Sequence, residues 1–187
     1  MRIVGGRLRG RKLAEPKTQD IRPTTDRNRE SLFNILNHHW PEKLDGTRVL
    51  DVFAGTGALG CEALSRGAAF AVFIEQGVEG RGLLRQNIEA LGLTGHTKVF
   101  RRDALKPGII GTLEPFDLVF ADPPYGKGLG EKAIAALVEN GWLKPSALLV
   151  LEEQKNHMPN TLNGFRKTDE RSFGESAFGL FQLVTET

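Results

Sequence analysis

Val49-Leu50-Asp51-Val52-Phe53-Ala54-Gly55-Thr56-Gly57-Ala58-Leu59-Gly60 decides the fold of this 187-residue chain. A short apolar run of strand length passes through a glycine loop straight into a helix, expected over 58–66. That order opens a strand–helix–strand unit. Glycines let the backbone turn sharply and approach a ligand closely. About twenty residues on, a second apolar run, Ala71-Val72-Phe73-Ile74, ends in Glu75. An acid at the tip of the second strand is placed to accept hydrogen bonds from both ribose hydroxyls of a nucleoside cofactor.

Outward from this unit the alternation continues. Strands are expected over 48–53, 70–75, 98–101, 116–121 and 147–152. Helices are expected over 78–91, where Gly92 ends the run, and over 130–140. The tail reads as two runs, 165–173 and 178–184, joined by Gly174-Glu175-Ser176 into an antiparallel hairpin. Repeated strand–helix units predict an α/β, Rossmann-like fold: a mostly parallel sheet with helices on both faces and a closing antiparallel hairpin at one edge. Ligands of such sheets bind beyond the C-terminal strand ends. Asp51, Glu75, Asp103 and Asp122 all fall at or just past those ends.

Ahead of the sheet, residues 1–13 read as a small hairpin turning at Gly5-Gly6, and 15–22 as irregular. Thr24-Thr25-Asp26 offers N-cap residues for a helix to about His39. Leu32, Phe33, Leu36 and Trp40 share a face of that helix, and Pro41 stops it. The division expected is an extension over 1–22 and one main domain over 23–187. Net charge is only +2, yet residues 1–30 hold nine Lys/Arg against four acids, a balance of +5 that leaves −3 for the rest. A basic extension on a slightly acidic body points to a polyanion partner, with Arg2, Arg7, Arg9, Arg11 and Lys12 as candidate RNA contacts. The plain alternative is a solvated tail. Arg101, Arg102, Lys155 and His157 are weaker nucleic-acid candidates.

The second decisive motif is Asp122-Pro123-Pro124-Tyr125, after the run Phe116-Asp117-Leu118-Val119-Phe120-Ala121. A strand delivers an acid, two prolines and an aromatic to the rim of the sheet. Both prolines fix φ near −65° and lack a donor, so their carbonyls are presented from a rigid turn. Asp122 supplies an acceptor and Tyr125 a flat face. The set suits a planar base bearing an exocyclic amine: two acceptors for two N–H bonds, and a ring to lie on. Gly55, Gly57 and Gly60 also satisfy the dinucleotide fingerprint, which keeps a nicotinamide cofactor open. Asp51, four residues before Gly55, favours S-adenosylmethionine, whose ammonium end needs acceptors such as the carbonyls around Phe53–Gly57. Asp103, in Arg101-Arg102-Asp103-Ala104, is a candidate acceptor for an adenine amine; the alternative is an ordinary turn cap.

Composition sets the class. Hydrophobic and charged shares of 40% and 26% are those of an ordinary soluble domain. Neither a membrane span nor a secretory leader is visible. The single cysteine, Cys61, excludes an intramolecular disulfide and suits a reducing cytoplasm. The four histidines show no metal-ligand spacing with it, so no metal is expected. A monomer is expected.

With these residues in view, the chain resembles class I S-adenosylmethionine-dependent methyltransferases. More closely, it resembles the bacterial 16S rRNA guanine-N2 methyltransferase family. Met1–Gly6 with Arg9-Gly10-Arg11, Arg22–Arg27 with Glu30–Leu36, then Asp51–Gly60, Glu75 and Asp122–Tyr125 follow that family's order over nearly the whole chain. Asn28 stands where an apolar residue is usual, and Phe173 where Tyr is more usual. The resemblance implies that Asp51, Phe53, Gly55, Gly57, Glu75, Asp103 and Ala104 line the cofactor. It places Arg22, Pro23 and Thr24 beside its methionine end, and gives Asp122, Pro123 and Tyr125 the chemistry. It implies 16S rRNA, in a small ribosomal subunit or its precursor, as partner. An adenine-N6 methyltransferase shares the Asp-Pro-Pro-Tyr motif, but the 62 residues after Tyr125 leave no room for a DNA-recognition domain. A nicotinamide-dependent oxidoreductase would need a proton donor and a substrate domain, and neither is visible. A non-catalytic RNA-binding module would not need Asp122 and Tyr125.

Overall fold

The structure is a computed structural model that describes residues 1–19, 21, 23–40 and 44–183. Helix α1 (Asp26–His39) starts where Thr25 accepts a hydrogen bond from the Asn28 N–H (3.1 Å), a side-chain N-cap. Strand β1 (Arg48–Val52) leads through the glycine loop to α2 (Ala58–Ser65), β2 (Phe70–Ile74), α3 (Val78–Ala90) and β3 (Thr97–Phe100). Then follow β4 (Phe116–Ala121), α4 (Leu129–Glu139), β5 (Leu143–Gln154), β6 (Thr161–Leu162), β7 (Phe165–Phe173) and β8 (Ser176–Leu183).

The eight strands form one sheet in the order β3-β2-β1-β4-β5-β8-β7-β6. The first five are parallel and β8, β7 and β6 antiparallel, which departs from an all-parallel dinucleotide fold. The central strands are apolar on both faces because helices cover both. Val49, Phe73, Phe120 and Val150 pack under α1, α2 and α3; Leu50, Ile74, Ala121 and Leu151 pack with Ala133, Ile134 and Leu137 of α4.

Two expectations need correction and one is extended. β5 begins at Leu143, four residues early, because Leu143 pairs with Phe116 before a register shift brings Leu148 opposite Leu118. The expected closing hairpin forms from β7 and β8, and a third strand extends it: Asn163 and Gly164 take φ of +47° and +89° and turn β6 onto β7. Asn-Gly is the strongest short hairpin signal, and it stood unread in the sequence. The N-terminal segment is no regular hairpin. Arg2 and Lys12 form one isolated bridge, and the turn between them extends over 5–10. Pro41, Arg22 and Val184 lie outside the described residues.

Ile3, Leu8 and Leu13 of this arm are buried in the same core as Leu32 and Phe33. The arm is also bonded to α2. The Val4 and Gly5 N–H groups donate to Glu62 (3.0 and 2.8 Å), and Arg7 N–H donates to the Ser65 carbonyl (2.9 Å).

Candidate active site

A cavity of about 320 Å³ opens at the C-terminal ends of β1, β2 and β4. Its floor is the glycine loop. Gly57 has φ +77°, and a Cβ there would lie 2.2 Å from Leu84. A Cβ on Gly60 would lie 2.4 Å from the Phe73 ring, so this glycine lets α2 sit close on β2. Phe53 lines the cavity with φ +57°, a left-handed backbone that a bulky residue adopts only under constraint.

Glu75 stands just past β2 and clips the loop. Its Oε2 accepts the Gly55 N–H (2.8 Å) and its Oε1 the Gly77 N–H (2.9 Å). Each oxygen keeps a second lone pair for a ligand hydroxyl. Gly80 of α3 makes room: a Cβ there would stand 3.0 Å from the Glu75 Cγ and Cδ.

Asp51 is 2% exposed, and its Oδ2 accepts the Gly60 N–H (3.0 Å). Burial pushes its pKa up to about 8; the Gly60 N–H opposes this and the Glu75 charge adds to it. Asp103 turns Oδ1 onto the Leu105 N–H (2.9 Å), the turn cap weighed as its alternative role. Its neighbours Arg102 and Ala104 line the cavity. Arg102, a weaker nucleic-acid candidate, lies over Phe100, with Cζ 4.4 Å from the ring centroid.

Asp122, Pro123, Pro124 and Tyr125 form the opposite wall. Behind them is a residue that the sequence reading left as a plain strand end. Glu152, 7% exposed, accepts from the Tyr125 hydroxyl at Oε1 (2.5 Å) and from the Thr24 hydroxyl at Oε2 (3.2 Å). Thr24 and Pro23 line the cavity too, so Glu152 ties the start of α1 to the Asp-Pro-Pro-Tyr turn. The Thr24 carbonyl accepts from Arg29 Nη1 (3.0 Å).

The structure thus gathers Asp51, Phe53, Gly55, Glu75, Ala104, Thr24, Asp122, Pro123 and Tyr125 around one cavity. Gly57 supports its floor. Arg2, Arg7, Arg9, Arg11 and Lys12 are exposed but stand elsewhere. Arg7 bonds at the last residue of α2 and Arg11 at the last residue of α3, Ala90 (2.5 Å). Both helices start at the cavity, and Asn87 of α3, less than one turn before Ala90, still donates to the carbonyl of Thr56 in the lining (2.9 Å). Among the described residues no helix is long and apolar enough to cross a membrane, and no three His, Cys, Asp or Glu are grouped to hold a metal.

A family model described as "Conserved hypothetical protein 95" matches residues 1–182. The chain belongs to this family. It is 41% identical over 183 residues to ribosomal RNA small subunit methyltransferase D of Escherichia coli K12, covering 97% of this chain and 89% of that protein. The protein of the same name from Haemophilus influenzae is 38% identical over 186 residues, covering 97% and 93%. Among solved structures, an Escherichia coli protein assigned provisionally as the methyltransferase yhhF superposes with a TM-score of 0.83 at 39% identity, covering 98% and 97%. The sheet, with antiparallel β8 beside β5, is the Rossmann-like fold expected from the alternation, in the methyltransferase form that the resemblance implies.

Proposed function

We propose that this chain transfers a methyl group from S-adenosylmethionine to the exocyclic N2 amine of a guanine in 16S rRNA. The observation that carries the reading is one cavity, with the Glu75-clipped glycine loop on one wall and Asp122-Pro123-Pro124-Tyr125 on the other. A nucleoside cofactor fits the first wall. Glu75 offers lone pairs for ribose hydroxyls, Asp51 and the loop carbonyls face the amino-acid end, and Ala104 and Asp103 flank the adenine position. S-adenosylmethionine supplies a methyl group activated on a sulfonium.

The second wall serves the base. An aromatic amine is a weak nucleophile because its lone pair is delocalised into the ring. Asp122 and the Pro123 carbonyl would accept hydrogen bonds from its two N–H groups and turn the remaining lone pair toward the methyl; the C–S bond would break as the N–C bond forms, and the methylated nitrogen would then release one proton to solvent. The contribution is positioning, plus stabilisation of positive charge growing on nitrogen. Tyr125 stacks on a base drawn out of its own stack, which costs least for an unpaired guanine. Relatives that bear the name of small-subunit rRNA methyltransferases support rRNA as the substrate, and the lone buried Cys61 suits a reducing cytoplasm.

Small ribosomal subunits treated with the protein and labelled S-adenosylmethionine should yield N2-methylguanosine on nucleoside mass spectrometry. Labelled N6-methyladenosine, or a preference for duplex DNA, overturns the substrate and leaves the fold standing.

A further inference from the structure

The Asp-Pro-Pro-Tyr turn alone does not tell guanine from adenine, since either amine offers two hydrogens. The difference lies one atom away: guanine carries N1–H, a donor, where adenine carries a bare N1 acceptor. The structure places a second carboxylate beside the first. β4 and β5 pair in parallel with Ala121 opposite Leu151. One residue further, Asp122 and Glu152 leave the sheet on neighbouring strands, which lie about 4.8 Å apart. Ala121 and Leu151 pack with α4, while Phe120 and Val150 face the other helices. The alternation therefore carries Asp122 and Glu152 to one face, that of α1.

Glu152 itself is 7% exposed and stands just behind the lining, held there by the hydroxyls of Thr24 and Tyr125, which line the cavity with Asp122. A carboxylate has about four acceptor sites, so two remain after those bonds. The geometry points to Glu152 as the acceptor of guanine N1–H, next to the Asp122 that takes one hydrogen of the N2 amine. This rests on the reading of Asp122 as the base-amine site. Two carboxylates side by side read two adjacent donors of one pairing edge. Adenine sets a lone pair against an oxygen there, and a site built for an N–H rejects a base that lacks it because its buried acceptor loses its partner.

The test replaces the guanine that receives the methyl by 2-aminopurine, which keeps the N2 amine but has a bare N1. Small-subunit particles are reconstituted with either base at the position located by nucleoside mapping, and initial rates are measured. The wild-type protein should favour guanine by about a hundredfold or more. Glu152→Gln, whose amide N–H can donate to a bare N1, should narrow that preference at least about tenfold. Thr24→Val and Tyr125→Phe remove the hydroxyls that Glu152 holds but leave its carboxylate. They should lower both rates and keep the preference. A wild-type preference near one overturns the assignment without any variant. So does a Glu152→Gln protein, folded by melting and cofactor binding, that loses rate equally on both bases as the hydroxyl variants do. If the wild-type protein forms no N2-methylguanosine on guanine particles, the functional reading itself has failed. A product formed without discrimination sinks only the role of Glu152.

Discussion

Arg29 of α1 and Glu62 of α2 face each other with neither side chain exposed, Nε 3.6 Å from Oε2. Around this pair the arm, two helices and the cavity wall converge. Arg29 also donates to the Arg2 carbonyl, to Asp26 (2.9 Å) and to the Thr24 carbonyl, while Glu62 accepts from Val4, Gly5 and Arg66. Removing Glu62 leaves the buried Arg29 with only the half-exposed Asp26 carboxylate to compensate it, and breaking a buried pair costs about 3–5 kcal/mol. Glu62→Ala should lower unfolding free energy by that amount in denaturant titration. Glu62→Gln, which keeps one carbonyl oxygen to accept from the arm, should lose less. Equal losses would mean that the charge, and not the arm bonds, needs Glu62.

Glu75→Ala should weaken S-adenosylmethionine binding by about 1.5–3 kcal/mol, the scale for hydrogen bonds to a charged group. Gly80→Ala should weaken it without touching the ligand, because the new Cβ meets the Glu75 Cγ and Cδ at 3.0 Å and displaces the carboxylate. Calorimetry that shows full affinity in a folded Gly80→Ala protein would mean that Glu75 need not be held where it is.

The sheet and its rim were legible because buried parallel strands write themselves as apolar runs, and because Asp51, Glu75 and Asp122 stand at the ends of those runs. The partners of buried polar groups were not. Arg29 shares helical spacing with Leu32, Phe33 and Leu36, so its place on the apolar stripe could be read; that Glu62 meets it could not. Glu152 looked like a strand end because the β4–β5 register, which sets it beside Asp122, is a tertiary fact. The arm's charge pointed to a polyanion-binding extension, with a solvated tail as the alternative, and neither reading shows that Ile3, Leu8 and Leu13 anchor it in the core.

Asp51 gives a pH signature. Its folded pKa is raised by burial to about 8, from an ordinary 3.8. Between these values the folded state holds a proton that the unfolded chain has released. The stability this contributes is full below the unfolded value and is lost as pH rises through the folded one. Asp51→Asn removes the slope, so the variant should gain stability relative to its parent as pH climbs from about 4 to 8. Melting curves across that range that run parallel for the two proteins would contradict a raised Asp51 pKa.

Asp122→Ala should keep the fold and most cofactor affinity yet lose at least about a hundredfold in turnover, as when a charge-stabilising group is deleted. Tyr125→Ala should lower activity by weakening capture of the base. Tyr125→Phe should be milder, since the ring remains and only the donor to Glu152 is lost. Near-normal turnover in Asp122→Ala would remove it from the chemistry.

The last prediction concerns the arm. Deleting residues 1–13 would strip Ile3, Leu8 and Leu13 from the core, so a truncated protein would report on folding more than on RNA. Neutralising exposed charges avoids this: Arg7, Arg9 and Lys12 are all exposed. None of the three lines the cavity, so they should act on affinity more than on turnover. Arg7→Gln, Arg9→Gln and Lys12→Gln together should leave S-adenosylmethionine binding intact. If each side chain neutralises one phosphate, they should flatten the slope of log affinity against log salt by about two units or slightly more. An unchanged slope would make the arm a structural clamp whose charges only keep its outer face in water.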